Sequence, residues 1–109
     1  MQEGDIAIAS IQQSDGAYKP RPVLLLRRLP GYGDFLVCGI SSQLRQTVPG
    51  FDEVLQPNPD NRLRVASVVR LANLIAIPAA DIDRAIGYIP DGLHSDLLQR
   101  LADYLTRTI

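Results

Sequence analysis

Arg21 stands between two prolines, directly ahead of an aliphatic run, in the segment "KPRPVLLL" (residues 19 to 26). A guanidinium keeps its charge in a protein and is costly to bury unpaired. Arg21 is therefore expected at the mouth of the core, its planar fork turned toward a partner that is either a structural carboxylate or a phosphate. Ser41 and Ser42 end the apolar stretch "FLVCGISS" (35 to 42). If that stretch pairs with "VLLLRR" (23 to 28), both hydroxyls come to the strand end where Arg21 enters. Arg70 interrupts "VASVVRLANLIAI" (65 to 77), and period-two alternation sets it on the face of Val68, Ala72 and Leu74. A fork that matches two phosphate oxygens at once, near a hydroxyl, suits phosphate chemistry. Each group also has a purely structural use: Arg21 in a loop salt bridge, Ser41 as a strand-end hydroxyl, Arg70 in an edge or interface ion pair.

Other chemistries find little support. With one cysteine, one histidine and no clustered carboxylates, neither a zinc site nor a two-metal site assembles at recognisable spacing, and no cofactor is expected. "GYG" (31 to 33) lacks the further glycines and the following helix of a nucleotide-binding loop. His94 falls on what reads as the exposed side of a carboxy-terminal helix. Cys38, inside "FLVCGI", reads as a small buried hydrophobe in a reducing cytosol. A net charge of −1 argues against binding nucleic acid by bulk electrostatics. The distribution is uneven, however. Residues 1 to 78 carry eight basic against seven acidic groups, and residues 79 to 109 three against five, so the first part is the better place to meet an anion.

These groups need a scaffold. At 109 residues, 46% hydrophobic and 21% charged, the chain is expected to form one globular domain over 1–109. "MQEGDIAIAS" has no basic region before an apolar run, and no run approaches the roughly 20 residues that span a bilayer, so a soluble cytoplasmic protein without membrane contact is expected. Strands are predicted at 5–10, 23–28, 35–42, 51–56 and 65–77, with a short one at 85–89, punctuated by the turns "LPGYGD" and "PNPDNR". From Pro90 onward, Leu93, Leu97, Leu98, Leu101, Tyr104 and Leu105 recur at helical spacing, with Asp91 and Ser95 as candidate caps. The fold class is mostly β: an antiparallel SH3-like barrel of five to seven strands closed by a carboxy-terminal amphipathic helix.

The order "GDIAIAS", "RPVLLL", "CGISSQL" and "SVVRLANLIAI", followed by a leucine-rich helix, resembles the MazF/PemK family of bacterial toxins from toxin–antitoxin pairs. The resemblance covers nearly the whole chain. It implies a compact antiparallel barrel that dimerises and an enzyme, a metal-independent endoribonuclease that cleaves single-stranded RNA and is neutralised by a small antitoxin. Carried over residue by residue, Arg21 takes the catalytic arginine position. Ser41 takes the place usually held by threonine, and Arg70 matches an arginine that some members use as an acid or electrostatic catalyst. RNA would lie between the first loop (12 to 20) and the turn after Ser41. It would meet Tyr18 by stacking, with Lys19, Ser42, Gln43 and Arg45 alongside. An antitoxin tail would bring acids to Arg21, Arg45 and Arg70.

Two departures stand out. Where some members carry an acid two residues after the Arg70 position, this chain has Ala72. The first-loop histidine is also absent, and "SDGAYKP" offers Asp15, Tyr18 and Lys19 instead. The same barrel resembles CcdB-type toxins, which bind and poison DNA gyrase without cleaving anything, although the chain does not end in their aromatic and glycine pattern. A degenerate barrel that only binds an antitoxin is the third reading.

Overall fold

A computed structural model describes residues 1–108. Six strands, β1 (Asp5–Gln12), β2 (Tyr18–Arg28), β3 (Phe35–Ser41), β4 (Glu53–Leu55), β5 (Ser67–Ile77) and β6 (Ile82–Tyr88), precede one helix, α1 (Asp91–Leu105). They form a single antiparallel sheet in the order β4-β5-β3-β2-β1-β6, curled into a half-barrel. The mostly-β barrel and terminal helix are as the sequence predicts.

The continuous run Val23–Leu26 has a direct cause: β2 is buried on both faces. Leu24 and Leu26 enter a cluster with Ile6, Cys38, Val69 and the helix residues Leu97 and Leu101. Val23 and Leu25 join Ala7, Phe35, Val37 and Ile82 on the opposite face. Alternation lets each face choose its own neighbours, so an all-apolar strand here means two cores and not a buried helix. The β1–β2 hairpin is set by a turn in which Asp15 Oδ1 accepts from Ala17 N at 2.9 Å and Gly16 holds φ +87°.

In β5 the expected alternation breaks. Cys38 lies opposite Leu74, but the next β3 residue, Gly39, lies opposite Arg70, so Leu71–Asn73 bulge out of the ladder. Arg70 keeps the side of Val68, whereas Leu74 packs with Val69 and Leu71 in the other cluster, so the single face expected for Arg70, Val68, Ala72 and Leu74 does not exist. The amide freed at Leu71 donates to Oδ1 of Asp52 at 3.0 Å. The other oxygen of that carboxylate accepts from Val48 N at 2.9 Å and faces Arg70 Nε at 3.6 Å. Asp52, its carboxylate wholly buried, thus pins the loop before β4 to the bulge of β5. The weak strand expected over 51–56 shortens to 53–55 because Asp52 is used this way.

The sheet's two edges, β4 and β6, are bridged by the loop 57–66. Within it Asn58 and Asn61 form a mutual Asx network: Asn58 Oδ1 accepts from the amides of Asp60 and Asn61 at 2.9 and 2.7 Å, and Asn61 Oδ1 from those of Asn58 and Leu63 at 3.1 and 3.0 Å. The loop then presses onto β6, where Tyr88 N donates to Asp60 O at 3.0 Å. This approach requires Gly87: a Cβ there would stand 2.5 Å from the carbonyl oxygens of both Asp60 and Asn61.

Helix α1 docks by Leu97 and Leu101, and Arg100 clamps it to Glu53 at 2.8 Å and to Asp96 at 2.6 Å. The Glu53 hydrogen bond, opposed by some desolvation, raises the already high Arg100 pKa. His94 is half-buried, not on the exposed side, with Nε2 2.8 Å from Leu26 O. Neither Asp91 nor Ser95 caps: Pro90 holds the N-cap position with no side-chain bond, and Asp91 acts through charge in the first turn. Tyr104 and Leu105, predicted on the buried stripe, are exposed at 55% and 69%, because the sheet ends before the helix does. Among the described residues no helix is long and apolar enough to cross a membrane.

Gly87→Ala should lower stability by about 2 kcal/mol, the ordinary range for overpacking. Gly39→Ala, where a Cβ would meet only the tip of the exposed Asn73 side chain, should cost well under half as much. Thermal denaturation of both variants checks this, and equal losses would show that the loop yields freely.

Candidate functional site

Beside the seam lies a cleft of about 890 Å³. One wall comes from the paired strand ends: Arg21 and Pro22 of β2, and Ile40 to Gln43 at the end of β3. The β2–β3 ladder reaches Val23 opposite Gly39. Arg21 lies two residues before Val23 and Ser41 two after Gly39, so both stand just beyond the end of this ladder, and both line the cleft. This is the juxtaposition that the hairpin reading of "VLLLRR" and "FLVCGISS" requires.

Arg21 is exposed, and among the described residues no carboxylate forms an ion pair with it. Its only side-chain bond is a long one, Nη2 to Gln13 Oε1 at 3.4 Å. Its fork is therefore available to an incoming anion. Ser41 Oγ accepts from the amide of Gln43 at 3.1 Å. With that acceptor site occupied from the backbone, the hydroxyl proton is free to be donated to a phosphate oxygen.

The rest of the lining carries three arginines that sequence reasoning missed: Arg62 and Arg64, flanking Leu63 in the loop 57–66, and Arg84 of β6, which lies across Ile8 from Pro22. Arg62 and Arg64 lie in the segment read only as a turn. Arg62 holds φ +54°, a left-handed conformation that costs a non-glycine residue about 1 kcal/mol and is fixed here by the Asx network just before it. Leu63 packs against the core, so its neighbours on either side point away from it. Arg84 pairs with Asp83 on its own strand. The alternating R-x-R of "NRLRV" was the available signal. Four arginines and three serines line the cleft, and no acid, histidine, lysine or tyrosine does so. Electrostatically it is a site for an anion.

Of the remaining candidates, Ser42 and Gln43 line this cleft. Arg45 stands just outside it on a short 3-10 turn (Leu44–Gln46) and donates to Gln43 Oε1 at 2.9 Å. Tyr18, 61% exposed, and Lys19 lie at the far end of the β1–β2 hairpin, and Tyr18 borders a separate depression with Ile75 and Ile77. Arg70 is absent from the cleft lining. It faces Asp52, and its Nη1 donates to Gln46 Oε1 at 3.0 Å, which is the ion-pair use allowed for it from sequence. Cys38 is sealed in the core, where burial, then the Asp52 charge, pushes its thiol up to about 12, so it is neutral and inert. Among the described residues no three His, Cys, Asp or Glu side chains come together as metal ligands.

The comparisons with known proteins agree with this architecture. A family model described as "PemK-like, MazF-like toxin of type II toxin-antitoxin system" matches residues 2–105. Among solved structures, the Mycobacterium tuberculosis toxin MazF-mt6 superposes with a TM-score of 0.72 at 25% identity, covering 96% of this chain and 99% of that one. No curated sequence matches. A toxin of this class implies an antitoxin partner. With the match running over all six strands and the helix, the chain belongs to the PemK-like, MazF-like toxins of type II toxin–antitoxin systems.

Proposed function

We propose that this toxin is an endoribonuclease that cuts single-stranded RNA by using the RNA's own 2'-hydroxyl as nucleophile, without a metal. The observation that carries this is the fork of Arg21, without an acid partner, beside Ser41 in the lining of a cleft that arginines and hydroxyls line and carboxylates do not. RNA supplies the attacking group, so the protein's work is to hold the phosphate in line and stabilise the extra charge that develops on it. Arg21 spans two non-bridging oxygens, and Ser41 donates its hydroxyl proton to the phosphate or positions the nucleophile. The 2'-oxygen bonds to phosphorus, the bond to the 5'-oxygen breaks, and the products carry a 2',3'-cyclic phosphate and a 5'-hydroxyl.

No side chain of ordinary base strength lines the cleft, so the 2'-proton passes to hydroxide and the leaving oxygen takes a proton from water. Ala72, the departure noted in the sequence, lies in the β5 bulge away from this cleft. Arg70 acts in this reading from a distance, by holding Asp52 and the turn that follows Ser41. Homodimerisation and an antitoxin tail whose acids cover the cleft arginines belong to the same proposal. Gyrase binding is the weaker alternative, because nothing in that activity uses an open cleft of unpaired arginines.

Arg21→Ala should abolish cleavage of a single-stranded RNA and leave the melting temperature unchanged, since the side chain is exposed and makes only one long hydrogen bond. Ser41→Thr should retain activity where Ser41→Ala loses at least tenfold. Arg70→Met should instead lower stability by about 2 kcal/mol by stranding a buried carboxylate. An Arg21→Ala protein that still cuts at the wild-type rate would refute the assignment.

A second consequence concerns pH. With no titrating base in the cleft, log kcat/KM should rise steadily through the neutral range, without the inflection near about 6.5 that a histidine base produces. A bell-shaped profile centred near neutrality would show that a side chain outside the cleft enters the reaction.

A further inference from the structure

We infer that Arg62, Arg64 and Arg84 form a second, non-catalytic wall that grips phosphates flanking the scissile one, so that efficient substrates must extend beyond a single phosphodiester. The inference takes RNA as ligand from the reading above, and its test is arranged to stand apart from cleavage.

Three observations carry it. First, the cleft is large. At about 890 Å³ it sits near the upper end of the range for small-ligand sites, more room than one phosphate at Arg21 and Ser41 needs. Second, the guanidinium groups of Arg62 and Arg64 have no hydrogen-bond or ion-pair partner among the described residues, even though Asp60 lies only two residues before Arg62; Arg62 is bonded through its backbone amide alone, to Asn58 O at 3.1 Å. Two surface arginines without an acid partner, on the cleft that also holds Arg21, make a site that repels cations, its one internal ion pair being that of Arg84 with the exposed Asp83. Third, the backbone that presents them is built to a fixed shape. Asn61 is 2% exposed, its Oδ1 accepting two backbone amides and its Nδ2 donating to Gln56 O, Gly87 admits the loop's carbonyls, and Arg62 is held left-handed where asparagine or glycine would be easier. An observed backbone outlier of this kind is a reason to look for function. Phosphate contacts of this sort set register along a strand without reading its bases.

The substitutions for the test are Arg62→Asn, which tolerates the left-handed backbone, with Arg64→Gln and Arg84→Gln, and Arg27→Gln as control at the far end of β2. Each protein is titrated with a fluorescein-labelled, fully 2'-O-methylated RNA dodecamer, which cannot be cut through its 2'-oxygens, over a series of sodium chloride concentrations. Each cleft substitution should weaken binding several-fold and reduce the slope of log affinity against log salt by about 0.7, one phosphate contact on a single strand. Melting temperatures and the Arg27→Gln slope should stay at wild type. With cleavable substrates, the triple variant should raise KM on a dodecamer by at least tenfold with kcat within about twofold, while its kcat/KM on a dinucleoside monophosphate equals wild type. Unchanged salt slopes would overturn the inference. So would equal losses on dodecamer and dinucleotide, which would move these arginines to the scissile phosphate. A polyglutamate peptide that loses affinity while the RNA does not would also overturn it and assign the wall to an acidic protein partner. If the wild type cuts no RNA at all, the nuclease reading fails, yet the dodecamer titration still decides this one.

Discussion

The fold and its cleft depend on one close approach, the seating of the Asp60 and Asn61 carbonyls against Gly87. A six-stranded sheet with free edges at β4 and β6 must curl until something joins those edges, since open edges and exposed apolar faces are costly. The loop 57–66 makes that join. It satisfies its own polar groups through the Asn58–Asn61 network and borrows the Tyr88 amide from the edge strand. In doing so it delivers Arg62 and Arg64 to the side of the barrel where β2 and β3 present Arg21 and Ser41. The same contact that closes the hydrophobic core also completes the cationic cleft, so stability and recognition are coupled at one glycine.

A second constraint divides the arginines into two classes. Asp52 is buried, its carboxylate accepting from the amides of Val48 and Leu71, with the Arg70 guanidinium 3.6 Å away as its counter-charge. Its charge is compensated inside the protein, and Arg70 is spent on that compensation. Arg100 is likewise consumed in holding α1 to Glu53. Arg21, Arg62 and Arg64 have no such internal partner among the described residues. That contrast separates guanidinium groups spent on structure from those open to an outside anion more sharply than residue type does, because a charge left exposed and unpaired in a cleft attracts one. The acidic balance of the whole chain hides this local field.

How much was legible in the sequence follows from the range over which each feature is determined. The apolar strand runs and the terminal helix are local patterns and appear in the predicted order, although β2 begins at Tyr18, inside the segment read as a loop, because its polar first half pairs with β1, and β6 begins at Ile82 rather than 85. The antiparallel pairing of β2 with β3 was readable because one short turn joins them, although a bulge between Leu25 and Arg27 shifts the register that the turn begins. The bulge in β5 was not, because its cause is Asp52, an acceptor supplied from 19 residues away to an amide that would otherwise lie in the ladder. Nor was the second arginine wall. "PNPDNRLRV" has the composition of an ordinary turn, and only its contact with Gly87, distant along the chain, turns it into a wall. His94 and the last turn of α1 were misplaced for a related reason: a single helical period does not say where the facing sheet stops.

The proposed nuclease turns RNA's own 2'-hydroxyl on its neighbouring phosphate, with arginine as the chief electrostatic partner. Mass spectrometry of the fragment ends, after brief digestion of a single-stranded RNA by the purified toxin in excess chelator, tests it most directly. The account predicts fragments ending in 2',3'-cyclic phosphate and beginning with 5'-hydroxyl. Fragments beginning with 5'-phosphate, or RNA left intact until a divalent metal is restored, would contradict it.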